Sequence, residues 1–361
     1  MEIGVPKEIK DQEFRVGLTP ASVRALVDQG HQVFVEQGAG LGSSFTDGAY
    51  HQAGATLVET AAQAWQRELV VKVKEPLPQE YEFLTLPKLL FTYLHLAADR
   101  RLTEALLTSG VTAIAYETVE LDNGQLPLLS PMSRIAGRLA VQMGAHYLEK
   151  QQGGRGILLG GVPGVPAGQV TILGGGIVGT EAAKMAVGLG ATVSILDINV
   201  DRLNQLEELF GSRVDLRYSS RSNIDALLPR TDLLIGAVLV PGKRAPILVS
   251  RDQVETLPKG AVILDVAIDQ GGCVETLKVT SHSQPSYVEA GVVHVGIPNM
   301  PGATPWTATQ ALNNSTLPYV LRLANQGTNA WVDHLPLAKG VNTQTGKLIH
   351  PAVKTVFPDL E

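Results

Sequence analysis

The glycine-rich segment between residues 170 and 197 constrains the fold of this chain more than any other feature. It reads VTILGGGIVGTEAAKMAVGLGATVSILD, in which Gly174, Gly176 and Gly179 have the spacing G-x-G-x-x-G and Asp197 ends the second apolar run. In a strand–turn–helix–strand unit these glycines permit a tight turn, let a diphosphate approach the backbone, and let helix and strand pack closely. The spacing alone is weak, but with strand, helix and acidic residue in place it predicts a dinucleotide-binding unit.

The end of the second strand predicts which dinucleotide binds. A carboxylate such as Asp197 accepts hydrogen bonds from both ribose hydroxyls and repels a 2′-phosphate, so the sequence favours NAD over NADP. Arg202 leaves two interpretations open, because it could accommodate that phosphate or be a solvated helix residue. With no cysteine pair and no close histidine pair, the sequence predicts no metal site.

Charge and composition argue against several classes of partner. The 361 residues carry a net charge of −6, and the cations are scattered singly, whereas nucleic acids and anionic membranes need basic patches. The single cysteine, Cys273, rules out an intramolecular disulfide. The N-terminal MEIGVPKEIK lacks the apolar core of a signal peptide, and no apolar run reaches the roughly 20 residues of a membrane span. We therefore expect a cytoplasmic protein.

The order of apolar segments predicts an α/β protein with two domains. Short apolar strands alternate with helices twice along the chain, which is typical of parallel sheets covered by helices on both faces. The first set of predicted strands comprises residues 2–5, 32–36, 69–73, 89–94 and 111–115. The second set comprises residues 169–173, 191–196, 214–217, 232–236, 261–266 and 292–295. Six parallel strands make a complete doubly wound Rossmann fold.

The remaining segments predict how the domains are divided. One helix opens at Ser130 and runs to about residue 151, and another spans residues 308–324. The tail to Glu361 reads as irregular and is expected to pack on the first domain. The predicted substrate domain is therefore discontinuous, with residues 1–129 plus 307–361, and residues 130–306 form the NAD domain. A small-molecule site is expected in the cleft between them.

Polar side chains follow several predicted strands. Arg15 stands in EFRVGLTP after the first strand, Lys74 ends LVVKVK, and His95 follows LLFTYL. Because the carboxyl ends of parallel strands face the ligand crevice, these side chains are expected to converge. Each also has an ordinary alternative: a solvated loop arginine, a lysine extended to solvent, or a hydrogen-bonded core histidine. Asp269, after the strand AVILDVAI, would lie near a nicotinamide or be a turn residue.

Over essentially its whole length the chain resembles the alanine dehydrogenases. The segments that carry the resemblance are GVPKEIKDQEFRVGLTP, VKVKEP, FTYLHLAAD, AIAYETV, LPLLSPMSRIAGRLA, GGVPGV, LDIN, IGAVLVPG, DVAIDQGG and NMPGATPWTAT. The resemblance implies an NAD-dependent enzyme that reversibly deaminates L-alanine to pyruvate and ammonia. It also implies a homohexamer.

The resemblance further implies roles at matching positions. Arg15 and Lys74 would hold the carboxylate and carbonyl oxygen of the substrate. His95 would be the general acid/base, for which histidine is suited because it exchanges protons near neutral pH. Asp269 would be its partner beside the nicotinamide. Five further residues would line the cofactor side of the cleft: Met132, Ser133, Ser219, Val238 and Asn299.

Other functions stay open at this point. The nucleotide-binding subunit of a proton-translocating transhydrogenase has the same two-domain plan, but it needs no carboxylate clamp such as Lys74 beside His95. A non-catalytic NAD-sensing protein would need the Rossmann half alone. Lysine-forming relatives have similar Rossmann halves, and the sequence does not fix which amino acids fit the pocket.

Overall fold

A computed structural model describes residues 1–238, 245–268 and 271–360 of the chain. Its contacts divide the chain into a first unit, Met1–Met132 with Gly302–Glu361, and a second unit, Ser133–Pro301. The first unit therefore contains both ends of the chain. The predicted domains change at residues 130 and 307, and the compact units change at residues 133 and 302.

The strands and helices are named here in chain order. The strands are β1 (Glu2–Val5), β2 (Gln32–Glu36), β3 (Thr56–Val58), β4 (Leu69–Val71), β5 (Leu89–Thr92), β6 (Thr112–Ala115), β7 (Gln169–Leu173), β8 (Thr192–Asp197), β9 (Val214–Tyr218), β10 (Leu233–Gly236), β11 (Val262–Asp265), β12 (Ser286–Glu289), β13 (Val292–Val295), β14 (Val341–Gln344) and β15 (Lys347–Leu348). The helices are α1 (Pro20–Val27), α2 (Asp47–Gln52), α3 (Ala61–Trp65), α4 (Arg100–Ser109), α5 (Ser130–Tyr147), α6 (Ile177–Gly188), α7 (Val200–Phe210), α8 (Arg221–Leu227), α9 (Arg251–Val254), α10 (Pro305–Gln326), α11 (Leu335–Gly340) and α12 (Pro351–Val356).

The first unit is built on a mostly parallel sheet. Within the described residues its strand order is β15-β14-β6-β5-β4-β1-β2-β3. The strands β1 to β6 run parallel to one another, whereas β14 is antiparallel to β6 and β15 to β14. Every residue of β4, β5 and β6 is buried, as expected of a sheet that helices cover on both faces.

The prediction that the C-terminal tail is irregular is wrong. Residues after 334 form α11, the hairpin of β14 and β15, and α12. In β14, Val341 lies opposite Ile114, so the hairpin extends the sheet beyond β6. Its strands are short and rich in polar residues, and they therefore lack the apolar alternation that marks a strand in sequence. Pairing with β6 instead accompanies the burial of Val341, Asn342 and Thr343 in β14.

The second unit confirms the predicted doubly wound fold. Its sheet has the order β12-β13-β11-β10-β7-β8-β9 within the described residues, and the six strands from β13 to β9 are parallel. Counted from β7, this is the strand order 3-2-1-4-5-6 of dinucleotide-binding domains. The antiparallel edge strand β12 was not predicted, because its sequence SYVE has no apolar face and Val288 is 61% exposed.

Strand order also decides which loops lie side by side. In the first unit β1, β4 and β5 are neighbours, so the segments that follow them share one sheet edge. The strands β4 and β5 end at Val71 and Thr92, two residues earlier than the predicted ends at 73 and 94. In the second unit the carboxyl ends of β7, β8, β9 and β10 meet in the same way.

Candidate active site

The glycine turn, which we define as residues 174–179, has the geometry that each predicted glycine role requires. Gly174 has φ +100°, and a Cβ placed there would lie 2.7 Å from the carbonyl oxygen of Ala237. A Cβ on Gly179 would overlap the carbonyl oxygen of Gly174, because α6 packs tightly on the turn. A Cβ on Gly176 would meet nothing within 4 Å. The space beside Gly176 therefore fits the approach of a diphosphate to the backbone.

Two charged side chains hold the peptide groups of Gly175 in this turn. The N–H of Gly175 donates to Oδ2 of Asp197 (2.7 Å), and Oδ1 of Asp197 accepts from the N–H of Asn199 (2.8 Å). Arg202 donates from Nε to the carbonyl of Gly175 and from Nη2 to Oγ1 of Thr180, both at 2.7 Å. Arg202 is thus half-buried and bonded to the turn rather than freely solvated.

Two of the predicted cofactor residues lie beside the glycine turn. Ser219 directly follows β9, and its N–H donates to the carbonyl of Asp197 (2.9 Å). Val238 follows β10, and its Cγ2 lies 3.2 Å from the place a Cβ would take on Gly174. These residues and the turn therefore share the carboxyl edge of the second sheet.

The other predicted residues are placed as follows. Asn299 comes after β13 and has a left-handed backbone, with φ +55°. Ser133 is half-buried in the first turns of α5 and belongs to the second unit. Met132 is buried and belongs to the first unit, where its Sδ accepts from Nη1 of Arg15 (3.1 Å). Asp269 lies outside the described residues.

Arg15 is a buried, paired cation and not a solvated loop residue. It is 2% exposed, and its Nε and Nη2 donate to the two carboxylate oxygens of Glu13. Burial alone would lower the pKa of Arg15, but the hydrogen bonds and charge of Glu13 outweigh it and raise the pKa. Arg15 therefore keeps its positive charge in a buried place.

Two lysines of the segment VKVK have opposite environments. The ammonium of Lys72 is fully buried between Glu8 (3.2 Å) and Glu80 (2.7 Å), and these carboxylates raise its pKa although burial opposes this. Lys74 is half-buried, and within the described residues its ammonium has no hydrogen-bond or ion-pair partner. Burial lowers the pKa of Lys74; the charge of Glu75 opposes this shift, and the charge of Arg15 adds to it. Lys74 is the lysine that is able to receive an anionic ligand.

His95 is exposed, so the alternative of a core histidine is wrong. Its side chain is 47% exposed, and its ring stacks on Tyr93 with centroids 5.8 Å apart. Its backbone is left-handed, with φ +52°, which is rare for a residue with a Cβ. Nδ1 lies 3.9 Å from Oε1 of Glu117.

Arg15, Lys74 and His95, which we call the strand-end cluster, are brought together at one sheet edge. A Cβ on Gly17 would overlap the carbonyl oxygen of Val71, so the segment after Arg15 lies against the end of β4. The segments of Lys74 and His95 follow the neighbouring strands β4 and β5. Glu8, Glu13 and Glu117 accept the backbone N–H groups of these residues, and Glu80 pairs with Lys72 beside them. These glutamates were not predicted, because nothing in their local sequence distinguishes them from surface glutamates.

Two kinds of feature are absent from the described residues. These residues include no group of three or more His, Cys, Asp or Glu side chains that could hold a metal ion. In the part of the chain that the structure describes, every helix is too short or too polar to cross a membrane.

The fold and these side chains define an α/β protein in which one unit has the Rossmann fold of nucleotide-binding domains and the other carries two cations and an imidazole at one sheet edge. Residues 4–136 match the domain family described as alanine dehydrogenase/PNT, N-terminal domain. Residues 140–351 match alanine dehydrogenase/PNT, C-terminal domain. The chain belongs to the alanine dehydrogenase/PNT family.

Individual relatives agree with this assignment. An alanine dehydrogenase of Staphylococcus epidermidis is 54% identical over 359 residues, which cover 99% of this chain and 97% of the relative. A solved structure of an L-alanine dehydrogenase is 67% identical, has a TM-score of 0.98, and matches over 100% of both chains. A transhydrogenase from Sinorhizobium meliloti has a TM-score of 0.83 at 24% identity, over 98% of this chain and 100% of its own, and so shares the fold. The predicted resemblance to alanine dehydrogenases is confirmed.

Proposed function

We propose that the protein is an NAD-dependent alanine dehydrogenase that interconverts L-alanine with pyruvate and ammonia. The observation that carries the proposal is the strand-end cluster, because its two cations suit a carboxylate-bearing substrate and its histidine suits proton transfer. The 54% identity to an alanine dehydrogenase supports the same activity. In this proposal residues 1–129 plus 307–361 act on the substrate and residues 130–306 bind the cofactor.

The second unit supplies the proposed cofactor site. The open space at Gly176 and the free N–H groups at the start of α6 suit the diphosphate of NAD. Asp197 would bind the adenosine ribose, while Arg202 holds the turn in place. Further residues proposed to line this site are Gly174, Gly179, Met132, Ser133, Ser219, Val238 and Asn299. The chemistry that NAD would supply is the acceptance of a hydride from Cα of the substrate.

The two cations would orient the substrate. Lys74 offers an ammonium that no described side chain occupies, and it would bind the carbonyl oxygen of pyruvate. Arg15, whose charge is secured by Glu13, would attract the carboxylate. Both contacts lie where burial strengthens electrostatic interactions relative to water.

His95 would carry the proton transfers at the exposed edge of its ring. Loss of the hydride leaves the substrate as an iminium, and Nε2 of His95 accepts a proton from the water that adds to its carbon. The same nitrogen then returns the proton to the amine of the carbinolamine. As the C–N bond breaks and ammonia leaves, Nε2 accepts the proton of the hydroxyl group, and the C=O bond of pyruvate forms. The position of Nδ1 near Glu117, at 3.9 Å, is why we assign these steps to Nε2. Asp269 is proposed as its partner on sequence grounds alone.

One assay tests the activity against its rivals. The protein should consume NADH when pyruvate and ammonium are both present and should not do so when either is omitted. A nucleotide-binding subunit of a transhydrogenase would bind NADH without this dependence on ammonium, and an NAD-sensing protein would bind it without turnover. Absence of NADH consumption with both substrates would refute the proposal.

Three finer properties belong to the same proposal. Asp197 should make NADH the preferred cofactor, and equal kcat/KM values with NADPH would contradict this. The resemblance to alanine dehydrogenases supports a homohexamer, for which sedimentation should give a mass about six times 38.4 kDa. It also supports a cytoplasmic location, which fractionation of cells can test.

A further inference from the structure

The backbone hydrogen bonds between the segments of β4 and β5 end just before Lys74 and His95 of the strand-end cluster. The last bonds join the N–H of Lys72 to the carbonyl of Phe91 (3.1 Å) and the N–H of Tyr93 to the carbonyl of Val73 (3.2 Å). The N–H groups that follow have no neighbouring strand to donate to. A buried N–H without a partner costs free energy, so these groups need other acceptors.

Glu117 accepts the N–H groups that follow β5. Its Oε1 receives the N–H of His95 at 2.6 Å and that of Leu94 at 3.2 Å. Its Oε2 lies 3.3 Å from the N–H of Leu94. The side chain of Glu117 is only 14% exposed, so the surrounding protein restricts the movement of its carboxylate. These bonds stabilise the left-handed backbone of His95, which by itself costs on the order of 1–2 kcal/mol.

Glu8 does the same for the segment after β4. Its Oε1 receives the N–H of Val73 at 2.7 Å and that of Lys74 at 3.3 Å. Its Oε2 pairs with the buried ammonium of Lys72 (3.2 Å), which also binds Glu80. The buried ion pair with Lys72 therefore fixes the position of the Glu8 carboxylate.

Glu13 repeats the arrangement at the third member of the cluster. Its Oε1 receives the N–H of Arg15 at 3.1 Å, and the same carboxylate binds the guanidinium. Each residue of the strand-end cluster thus donates its own backbone N–H to a glutamate carboxylate. Glu8 and Glu117 are 66 and 22 positions away from the residues whose N–H groups they accept, whereas Glu13 lies two positions from Arg15.

We infer that Glu8, Glu13 and Glu117 are positioning residues that fix the backbone of Lys74, Arg15 and His95. This inference rests on the proposed function for what the three cluster residues do, but not for how they are held. A bond from an N–H to a carboxylate is about twice as strong as one to a neutral acceptor. A displacement of about 1 Å in a catalytic group is able to cost about 10²-fold in rate. The glutamates therefore act on turnover through geometry and do not touch the substrate.

The test uses Glu117, with Glu120 as its matched control. Glu117→Ala should lower kcat about 10²-fold, whereas Glu117→Gln, which keeps an acceptor oxygen, should stay within about tenfold of the wild type. Glu120→Ala, which removes a glutamate of the same segment that pairs with Lys339, should leave kcat unchanged. Equal kcat values for Glu117→Ala and the wild type would overturn the inference.

A double variant separates positioning from general stability. If Glu117 acts through His95, then Glu117→Ala should have almost no further effect on kcat in a His95→Ala background. If the two substitutions instead lower kcat by independent factors that multiply in the double variant, Glu117 does not act through His95. Variants at Glu8 should instead raise KM for pyruvate, by about tenfold for Glu8→Ala and less for Glu8→Gln, with the affinity for NADH unchanged.

An activity-independent measurement distinguishes a failed inference from a failed function. Amide hydrogen exchange in peptides covering residues 93–96 should be faster in Glu117→Ala than in the wild type, with Glu117→Gln between them. Unchanged exchange overturns the inference even if the enzyme is an alanine dehydrogenase. Faster exchange with no pyruvate turnover in the wild type supports the inference and refutes the function. If Glu117→Ala does not fold, Glu117→Asp replaces it, because the shorter carboxylate keeps the charge and loses the reach.

Discussion

The glycine turn in the second unit is made of six consecutive residues, whereas the strand-end cluster in the first unit joins residues as far apart as positions 15 and 95. The turn works by lacking side chains, since a Cβ at Gly174 or Gly179 would collide with the backbone and one at Gly176 would fill open space. The cluster works through its side chains, and carboxylates of Glu8, Glu13 and Glu117 hold the backbone from which those side chains extend. A site made of backbone is therefore encoded locally, and a site made of side chains depends on partners distant in sequence.

The largest expected effect is the loss of the acid/base group of the cluster. His95→Ala should lower kcat by about 10²–10⁴-fold, because proton transfer contributes that much in comparable enzymes. NADH should still bind, since the glycine turn belongs to the other unit. Steady-state kinetics with a fluorescence titration of NADH measures both quantities, and undiminished turnover would remove His95 from the mechanism.

Substitution of Lys72 should mainly lower the stability of the protein, whereas substitution of Lys74 should mainly weaken the binding of pyruvate. Lys72→Met leaves Glu8 and Glu80 buried without their cation, so the free energy of unfolding should fall by about 3–5 kcal/mol. Lys74→Met removes a partly buried cation that makes no hydrogen bond or ion pair within the described residues, so it should lower stability far less than Lys72→Met and should raise KM for pyruvate. Urea unfolding and kinetics of both variants check this, and equal losses of stability would contradict it.

Substitutions at two glycines of the turn should also have separate effects, one on stability and the other on the binding of NADH. Gly179→Ala forces a Cβ onto the carbonyl of Gly174 and should cost about 1–3 kcal/mol of stability through overpacking. Gly176→Ala meets nothing in the protein, so its stability should stay near that of the wild type while its Kd for NADH increases. The prediction fails if Gly176→Ala binds NADH normally or Gly179→Ala unfolds like the wild type.

The smallest expected effect is the pH dependence that Lys74 adds. Burial lowers the pKa of Lys74, so in the window between that pKa and the ordinary lysine pKa the folded protein binds fewer protons than the unfolded chain. The contribution of Lys74 to the free energy of unfolding therefore increases as pH rises through this window. Pyruvate binding should weaken over the same window, because the cation is lost. KM for pyruvate should rise towards about pH 10 in the wild type and stay flat in Lys74→Met.

The features that the sequence could predict are those encoded within a few consecutive residues, and the features it could not predict depend on residues distant in sequence. The glycine turn, the end of β8 at Asp197 and the parallel strands were predictable, because their signals lie within a few residues. The ends of β4 and β5 were predicted two residues late, since apolar character continues into Val73 and Leu94 after their N–H groups turn to Glu8 and Glu117. No local pattern could reveal those contacts, which span 65 and 23 positions. The distinction between Lys72 and Lys74 was likewise hidden.

The hairpin of β14 and β15 has a consequence for synthesis on the ribosome. The strand β6 ends at Ala115, but its neighbour begins at Val341, so the nascent chain exposes one side of β6 while more than 200 further residues are translated. The second unit, Ser133–Pro301, is translated in full during that interval and has all of its strands before the first unit has its own. The outer side of β6 is therefore among the last parts of the first sheet to reach its native pairing, and a nascent chain released before β14 would present an unpaired strand edge to its neighbours.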